Sequence, residues 1–511
     1  MSAPRRRGLP ALDPIPNEAT VPGSAGEQMV IHKGGHSGIA TLSFLATVGV
    51  SGALIALIAL VPLEKTTVGL LVLALTITLM LSGVHVAVSM ALPSLLGIWK
   101  VAGLSTMAFA MKDVPIGTAA SWSLTVVPLF ILMGLVLVQT GITAIIFDAA
   151  KQWIGGVPGG LAVATIAAGA GMSATSGSTL GVTYATTRMG VPEMLKAGYS
   201  THFATGTVAM AGVLKMLIPP SITVVIYAGI AETPVGPQLL AGLVPGLLLA
   251  VLFVLLIVVR ATRNRSLAPA VDTSSFTWGS RFIALGRAWP AALLFTIIVG
   301  GIYSGTATAT ESAAVAALAA IVIGAWMTRR NGMRAFIRIL GKATASTVAA
   351  VCSIMLLLIS VHLLTLFVAL TGLMQEVSRV VSDLGLTATQ FLLILVVMYL
   401  IMGMLMDELA MMLLTVPILL PILVQLDIDL IWFGVFLVLL CEVGMVMPPV
   451  GFLSFVVHGI VQHPEVNLGH KISLLDVFRG VLPYVAVALG LSVGLIFAPD
   501  LALWLPNLGA D

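Results

Sequence analysis

Gly171-Met172-Ser173-Ala174-Thr175-Ser176-Gly177-Ser178-Thr179-Leu180-Gly181 lies between two hydrophobic segments, and Leu214-Lys215-Met216-Leu217-Ile218-Pro219-Pro220-Ser221 follows it. No continuous helix runs through either stretch. Glycine lowers helix stability, and proline removes a backbone donor and clashes with the preceding turn. Inside a bilayer, freed backbone carbonyls are tolerated only where they face protein or a wet cavity. Breaks of this kind at membrane depth therefore point to an ion or substrate site.

The surrounding chain supports membrane depth. Of 511 residues, 59% are hydrophobic and 9% charged, against about 25% charged in a soluble domain. Mean hydropathy is +1.11. The fold class expected is an all-α polytopic membrane protein. Apolar runs begin near Ile39 and supply on the order of a dozen to fourteen crossings or half-crossings, at about 20 residues per crossing. The net charge of +3 gives no reason to expect nucleic acid as a partner. Cys352 and Cys441 both sit in apolar runs, so neither a disulfide scaffold nor a thiolate metal site is expected.

The organisation expected is a polar tail over 1–40, an additional transmembrane helix over 41–63, and a first half over 64–259 with a hairpin near 161–190. A basic loop over 260–287 precedes a second half over 288–511 with a hairpin near 391–424. The tail, with Arg5-Arg6-Arg7 and no apolar stretch close behind, reads as a cytoplasmic tail and not as a cleaved signal peptide. Val68 to Ile98 reads as one span, Met111 to Gly117 as a polar loop, and Pro128 as a kink inside Ser121 to Gly141. Ile142 to Ile154 reads as interfacial. The basic loop and the cluster Arg329, Arg330, Arg334, Arg338 and Lys342 lie two spans apart, so both are expected in the cytoplasm. Trp99, Trp153, Trp289 and Trp326 are expected as interface anchors.

The two halves align. An offset of 229 carries Pro219-Pro220 onto Pro448-Pro449 (448 − 219), Pro192 onto Pro421 (421 − 192) and Ser178 onto Asp407 (407 − 178). Each half then holds one polar break and, about 40 residues on, a Pro-Pro break, the internal symmetry expected of secondary transporters. Sequence leaves parallel and inverted repeats both open. Carbonyls released by proline, with serine and aspartate oxygens, suit an alkali cation, and half-helix N-termini suit an anion.

At this point the residues resemble the large membrane subunit of tripartite ATP-independent periplasmic (TRAP) transporters, from about Val68 to Leu508. Val127-Pro128-Leu129-Phe130-Ile131-Leu132-Met133-Gly134, Gly156-Val157-Pro158-Gly159-Gly160-Leu161, Ser176-Gly177-Ser178 and Met194-Leu195-Lys196-Ala197-Gly198-Tyr199 carry the resemblance. So do Leu217-Ile218-Pro219-Pro220-Ser221, Thr308-Ala309-Thr310-Glu311, Met406-Asp407 and Met447-Pro448-Pro449-Val450-Gly451. The resemblance implies an elevator-type transporter with two internal repeats, two re-entrant helical hairpins and discontinuous helices. It implies uptake of a small organic anion, mostly a carboxylate, coupled to sodium at one or two sites, with no organic cofactor. The implied partners are a small four-helix membrane subunit, expected as a separate chain, and a periplasmic substrate-binding protein, in the bilayer of the bacterial inner membrane. Three positions depart from the family pattern: Lys215 stands at a usual glycine whose repeat mate is Gly444 (444 − 215 = 229), Met447 at a usual threonine, and Ala309 at a proline.

The cation-site candidates are Ser173, Ser176, Gly177, Ser178, Lys215, Ile218, Pro219, Thr310, Asp407, Gly444, Met447 and Pro448. Thr175, Ser221, Thr308, Glu311 and Arg188 are candidates for substrate contact. Lys215 has three readings: an ammonium that snorkels or pairs structurally, one that replaces a sodium ion in the first site, or one that cycles its proton. Asp407 reads as a helix cap or as part of the second cation site; Glu408 has no assigned role, and Glu442 has one open reading, as the partner of a buried cation such as Lys215. Other functional readings are a stand-alone sodium- or proton-coupled carboxylate symporter, a channel, and an intramembrane hydrolase. The last lacks a nucleophile elbow and a His-Glu-x-x-His motif, and His362 stands alone in its span.

Overall fold

The computed structural model describes residues 37–173, 179–271 and 276–508, and among these every regular element is helical. The helices are α1 (Ser37–Leu60), α2 (Lys65–Leu81), α3 (Val86–Ala119), α4 (Val126–Gln139), α5 (Ile142–Ile154), α6 (Gly160–Ser173), α7 (Thr179–Lys196) and α8 (Thr201–Val213). Then come α9 (Ile222–Ile230), α10 (Val235–Arg263), α11 (Trp278–Arg287), α12 (Trp289–Phe295), α13 (Gly301–Tyr303), α14 (Ala309–Thr328), α15 (Met333–Thr371) and α16 (Leu373–Asp383). The last are α17 (Ala388–Gly403), α18 (Glu408–Gln425), α19 (Leu430–Val446), α20 (Phe452–Val461), α21 (Pro464–Asn467), α22 (Leu474–Phe497) and α23 (Asp500–Leu508). Among the described residues, six helices are long and apolar enough to cross a membrane, or up to nine if each sharply bent pair counts as one span.

Several local expectations are corrected. Val68 to Ile98 is not one span, because α2 stops at Leu81 and Gly83 takes a φ of 80°. His85 then caps α3, accepting from Ala87 N at 3.3 Å. Met111 to Gly117 is helical: Lys112 and Asp113 are exposed side chains on the last turns of α3, which kinks at Gly103 (φ 86°). Pro128 produces no kink. It lies in the first turn of α4, where a missing N–H has no intrahelical partner to lose. The region 260–287 is not all loop, since its last ten residues form α11. Trp153 Nε1 donates to Arg281 O at 2.9 Å, which ties α11 to α5. The additional first helix starts at Ser37, and Lys100 Nζ on α3 donates to the carbonyl of Ala59 near its end at 3.0 Å.

One group of packed helices is built from α3, α4, α14 and α15, with α15 lying along α3. Another is built from α6, α7, α8, α10, α17, α19 and α22. Its tightest crossing joins α8 to α22, where a Cβ on Gly206 would come within 2.2 Å of the backbone of Gly480.

The repeat offset is visible in the helix starts. Thr179 and Glu408 open α7 and α18 (408 − 179 = 229), and Thr201 and Leu430 open α8 and α19 (430 − 201 = 229). The repeats are inverted. The start of α8 lies at the far end of α10, where Arg260 stacks over Phe203 at 5.1 Å and Ser200 N donates to Leu267 O. The start of α19 lies at the near end of α10, where Gln238 Nε2 donates to Ile431 O at 2.9 Å. Since α10 has 29 residues and rises about 1.5 Å per residue, the two starts are separated by about the thickness of a bilayer core. The far end of α10 carries Arg260 and Arg263, the basic end of this helix. The 14 residues of α6 are too few to cross alone.

Candidate functional site

α8 ends at Val213, and a single 3₁₀ turn, Leu214–Met216, carries the chain to Pro219-Pro220. Lys215 is in that turn and is 1% exposed. Its Nζ points to Met216 Sδ at 3.7 Å. The ammonium does not snorkel: it lies among the fully buried side chains, within Coulombic reach of Glu408 and Glu442. It is not part of any of the three ion pairs formed among the described residues.

The two glutamates come from the other half. Glu408 is the first residue of α18 and Glu442 lies near the end of α19, 1% exposed. Thr223 Oγ1 on α9 donates to Glu408 Oε1 at 3.3 Å, and Thr179 Oγ1 on α7 donates to Glu442 Oε1 at 3.2 Å. Both hydroxyl groups are buried. Glu408 Oε2 and Glu442 Oε2 are also buried, and neither receives a donor from the described residues. Two ionised carboxylates have no donor to exchange, so only a proton or a cation between them could join Glu408 to Glu442. One ammonium faces two carboxyl groups, so with all three ionised the cluster is one positive charge short of neutral. A buried charge without compensation is costly.

This arrangement fits a monovalent cation at the free carboxyl oxygens and does not fit one where Lys215 stands. Among the described residues no three of His, Cys, Asp and Glu converge as a metal-ligand set.

Other expected residues go to different places. Thr175, Ser176, Gly177 and Ser178 lie outside the described residues. Ser173 is buried, and its Oγ donates back to Gly169 O at 2.9 Å. Ile218 and Pro219 are buried next to Lys215 at the break, and Ser221 caps α9 by accepting from Val224 N at 3.3 Å. Asp407 is an exposed helix cap, accepting from Ala410 N at 2.8 Å. Gly444 lets α19 meet α17 backbone to backbone, since a Cβ there would come within 2.8 Å of Gly403 Cα. Met447 is the C-cap of α19 and, with Pro448, is half-buried.

The remaining candidates stand apart from the lysine. Thr308 and Glu311 form a capping box on α14, with Glu311 N donating to Thr308 Oγ1 at 3.2 Å and Thr308 Oγ1 to Glu311 Oε2 at 2.9 Å. Thr310, half-buried, is in the same first turn. Arg188 pairs with Glu465 at 3.3 Å and lines a cavity of about 550 Å³ between α5, α7 and α21. His362 is not alone, since its Nδ1 lies 2.9 Å from Thr118 Oγ1.

Sequence reading missed Glu408, Thr179 and Thr223. One signal was present: Thr179 and Glu408 are repeat mates, each opening the second helix of its hairpin.

Comparisons with known proteins agree with this architecture. The family model described as "Tripartite ATP-independent periplasmic transporter, DctM component" matches residues 73–501. The C4-dicarboxylate TRAP transporter large permease protein DctM of Pseudomonas aeruginosa is 33% identical over 391 residues, covering 76% of this chain and 87% of that protein. The sialic acid TRAP transporter large permease protein SiaM of Vibrio cholerae is 32% identical over 399 residues, covering 77% of this chain and 88% of that one. Among solved structures, the YdaH transporter of Alcanivorax borkumensis superposes with a TM-score of 0.60 at 14% identity, covering 78% of this chain and 89% of the other, which is a likeness of fold. The chain belongs to the tripartite ATP-independent periplasmic transporter family as its DctM component, the large permease, a multi-pass transporter of the bacterial inner membrane and not an enzyme.

Proposed function

We propose that this permease takes up a small organic anion, a carboxylate, by cation-coupled symport, and that Lys215 replaces one coupling sodium ion with a tethered ammonium. A periplasmic binding protein delivers the substrate, and a separate small membrane subunit completes the permease. The helices around the two hairpins move as an elevator against the group formed by α3, α4, α14 and α15. The carboxylate class is supported by relatives named for C4-dicarboxylates, sialic acid and 2,3-diketo-L-gulonate, all of them acids. The coupling reading rests on one observation: Lys215 is enclosed at the Pro-Pro break with Glu408 and Glu442 beside it. A charge held there without snorkelling carries a large insertion cost, about 2.5–3.5 kcal/mol on translocon scales, and such residues mark ion pathways.

The test is uptake of C4-dicarboxylates and sialic acid into proteoliposomes holding this chain and its small subunit, with the binding protein outside. The expected result is saturable accumulation that requires both the binding protein and an inward cation gradient. Full uptake without the binding protein would instead identify a stand-alone symporter, and uptake indifferent to every cation gradient would refute coupling.

A further inference from the structure

We propose that Glu408 Oε2 and Glu442 Oε2 are ligands of a binding site for one alkali cation, sodium being the ion tested, and that Lys215 limits the site to a single ion. The proposal rests on the reading of Lys215 as a tethered cation and adds where the mobile one sits. Two observations carry it independently. The first is charge: two carboxyl groups from α18 and α19 face one ammonium, which leaves room for one further positive charge. The second is the geometry of Glu442, which is 1% exposed, has Oε1 held by Thr179 at 3.2 Å, and leaves Oε2 buried with no donor among the described residues. Glu408 repeats the arrangement, with Oε1 held by Thr223 and Oε2 buried and free. The threonines therefore orient each carboxyl group so that one oxygen of each is left for a ligand. Hard oxygens on half-broken helices are the usual coordination for sodium in secondary transporters, but here the donors are side chains from the second half held by hydroxyls of the first. Asp407, one residue away, has its Oδ1 committed to the Ala410 amide.

The experiment is thermal unfolding of the purified permease at one pH, in sodium chloride against choline chloride at equal ionic strength, for the native chain, Glu408→Gln and Glu442→Gln. The expected result is a sodium-specific rise in Tm for the native chain that is lost in both variants, whose folding is read from cooperative melting in choline. If either fails to fold, Thr179→Val and Thr223→Val take its place and are expected to weaken the sodium shift by releasing the carboxyl groups. A sodium shift that survives in all folded variants overturns the site. So does a native chain without a sodium shift that shows the infrared carbonyl band of a protonated carboxyl group, abolished by Glu408→Gln or Glu442→Gln; a proton then fills the gap. The two readings fail separately: a native chain without a sodium shift but with intact cation-coupled uptake removes the site alone, and an intact native shift without uptake removes the transport reading alone.

Discussion

Replacing Lys215 with glycine takes the only ammonium out of the enclosed Lys215–Glu408–Glu442 cluster and leaves two carboxyl groups facing each other. Lys215 is among the largest fully buried side chains of the described chain, so the substitution changes both charge and volume. Removing one partner of a buried charge arrangement costs about 3–5 kcal/mol, because the remaining charge is uncompensated. In choline, Lys215→Gly is therefore expected to lose about that much stability. Sodium can enter the vacated space, and an ion at about 100 times its dissociation constant returns roughly 2.7 kcal/mol to the folded state. In sodium, then, more than half of the loss is recovered. Lys215→Met separates charge from space: it removes the ammonium but keeps most of the volume, so the loss in choline remains and the recovery in sodium does not. A double variant, Lys215→Gly with Glu408→Gln, should lose less than the two single variants together, with a coupling of about 0.5–3 kcal/mol. The assay is unfolding of the purified permease in sodium and in choline. If Lys215→Gly matches the native chain in choline, or gains nothing from sodium beyond the native response, the tethered-cation argument is wrong.

Three further pairs of substitutions test the surrounding geometry. Gly480→Ala pushes a Cβ to within 2.0 Å of His202 O and is expected to cost about 3 kcal/mol, the upper end of ordinary overpacking. Gly494→Ala on the same helix meets nothing within 4 Å and should be neutral or stabilising by up to about 1 kcal/mol; parallel melts compare them. Asp407→Ala should cost about 1 kcal/mol as a lost helix cap, Asp407→Ser should restore most of it, and the sodium-dependent shift in Tm should survive both. Arg188→Ala and Glu465→Ala should each change stability by about 0–1 kcal/mol, since their pair is exposed; a larger effect in denaturant unfolding would assign Arg188 a role beyond it.

The sequence displayed where the helices break more clearly than what meets at the breaks. Glycine and proline act on their own turns, so the interruptions at Pro219-Pro220 and Pro448-Pro449 were legible from local chemistry. Burial of Lys215 was one of several open readings, because an apolar run surrounds it whether or not it snorkels. Of its counter-charges, Glu442 was open as the partner of a buried cation, and Glu408 was not legible. Glu408 and Glu442 are distant in the chain, and only the inverted packing of α19 against α10 brings their half to Lys215. Polarity misled in the opposite direction at Met111 to Gly117, where Lys112 and Asp113 are outward side chains on a continuous turn. The threonine and glutamate of the Thr308–Glu311 stretch carried a motif whose local geometry is a capping box, a role that depends only on residues three apart.

A lysine built into the chain, as opposed to a dissolved ion, alters the thermodynamic ceiling of the device. An exchangeable cation crossing a 100 mV potential contributes about 2.3 kcal/mol to pulling its cargo along, and each 1.4 kcal/mol is a factor of ten in a concentration ratio. On the proposal that Lys215 stands in for one coupling ion, its ammonium returns with the protein after every cycle and dissipates nothing. Each substrate molecule would then be drawn in by one ion fewer, which would lower the steepest gradient the permease could sustain by roughly fifty-fold at that potential. The same change makes uptake cheaper in ions when the outside supply is plentiful.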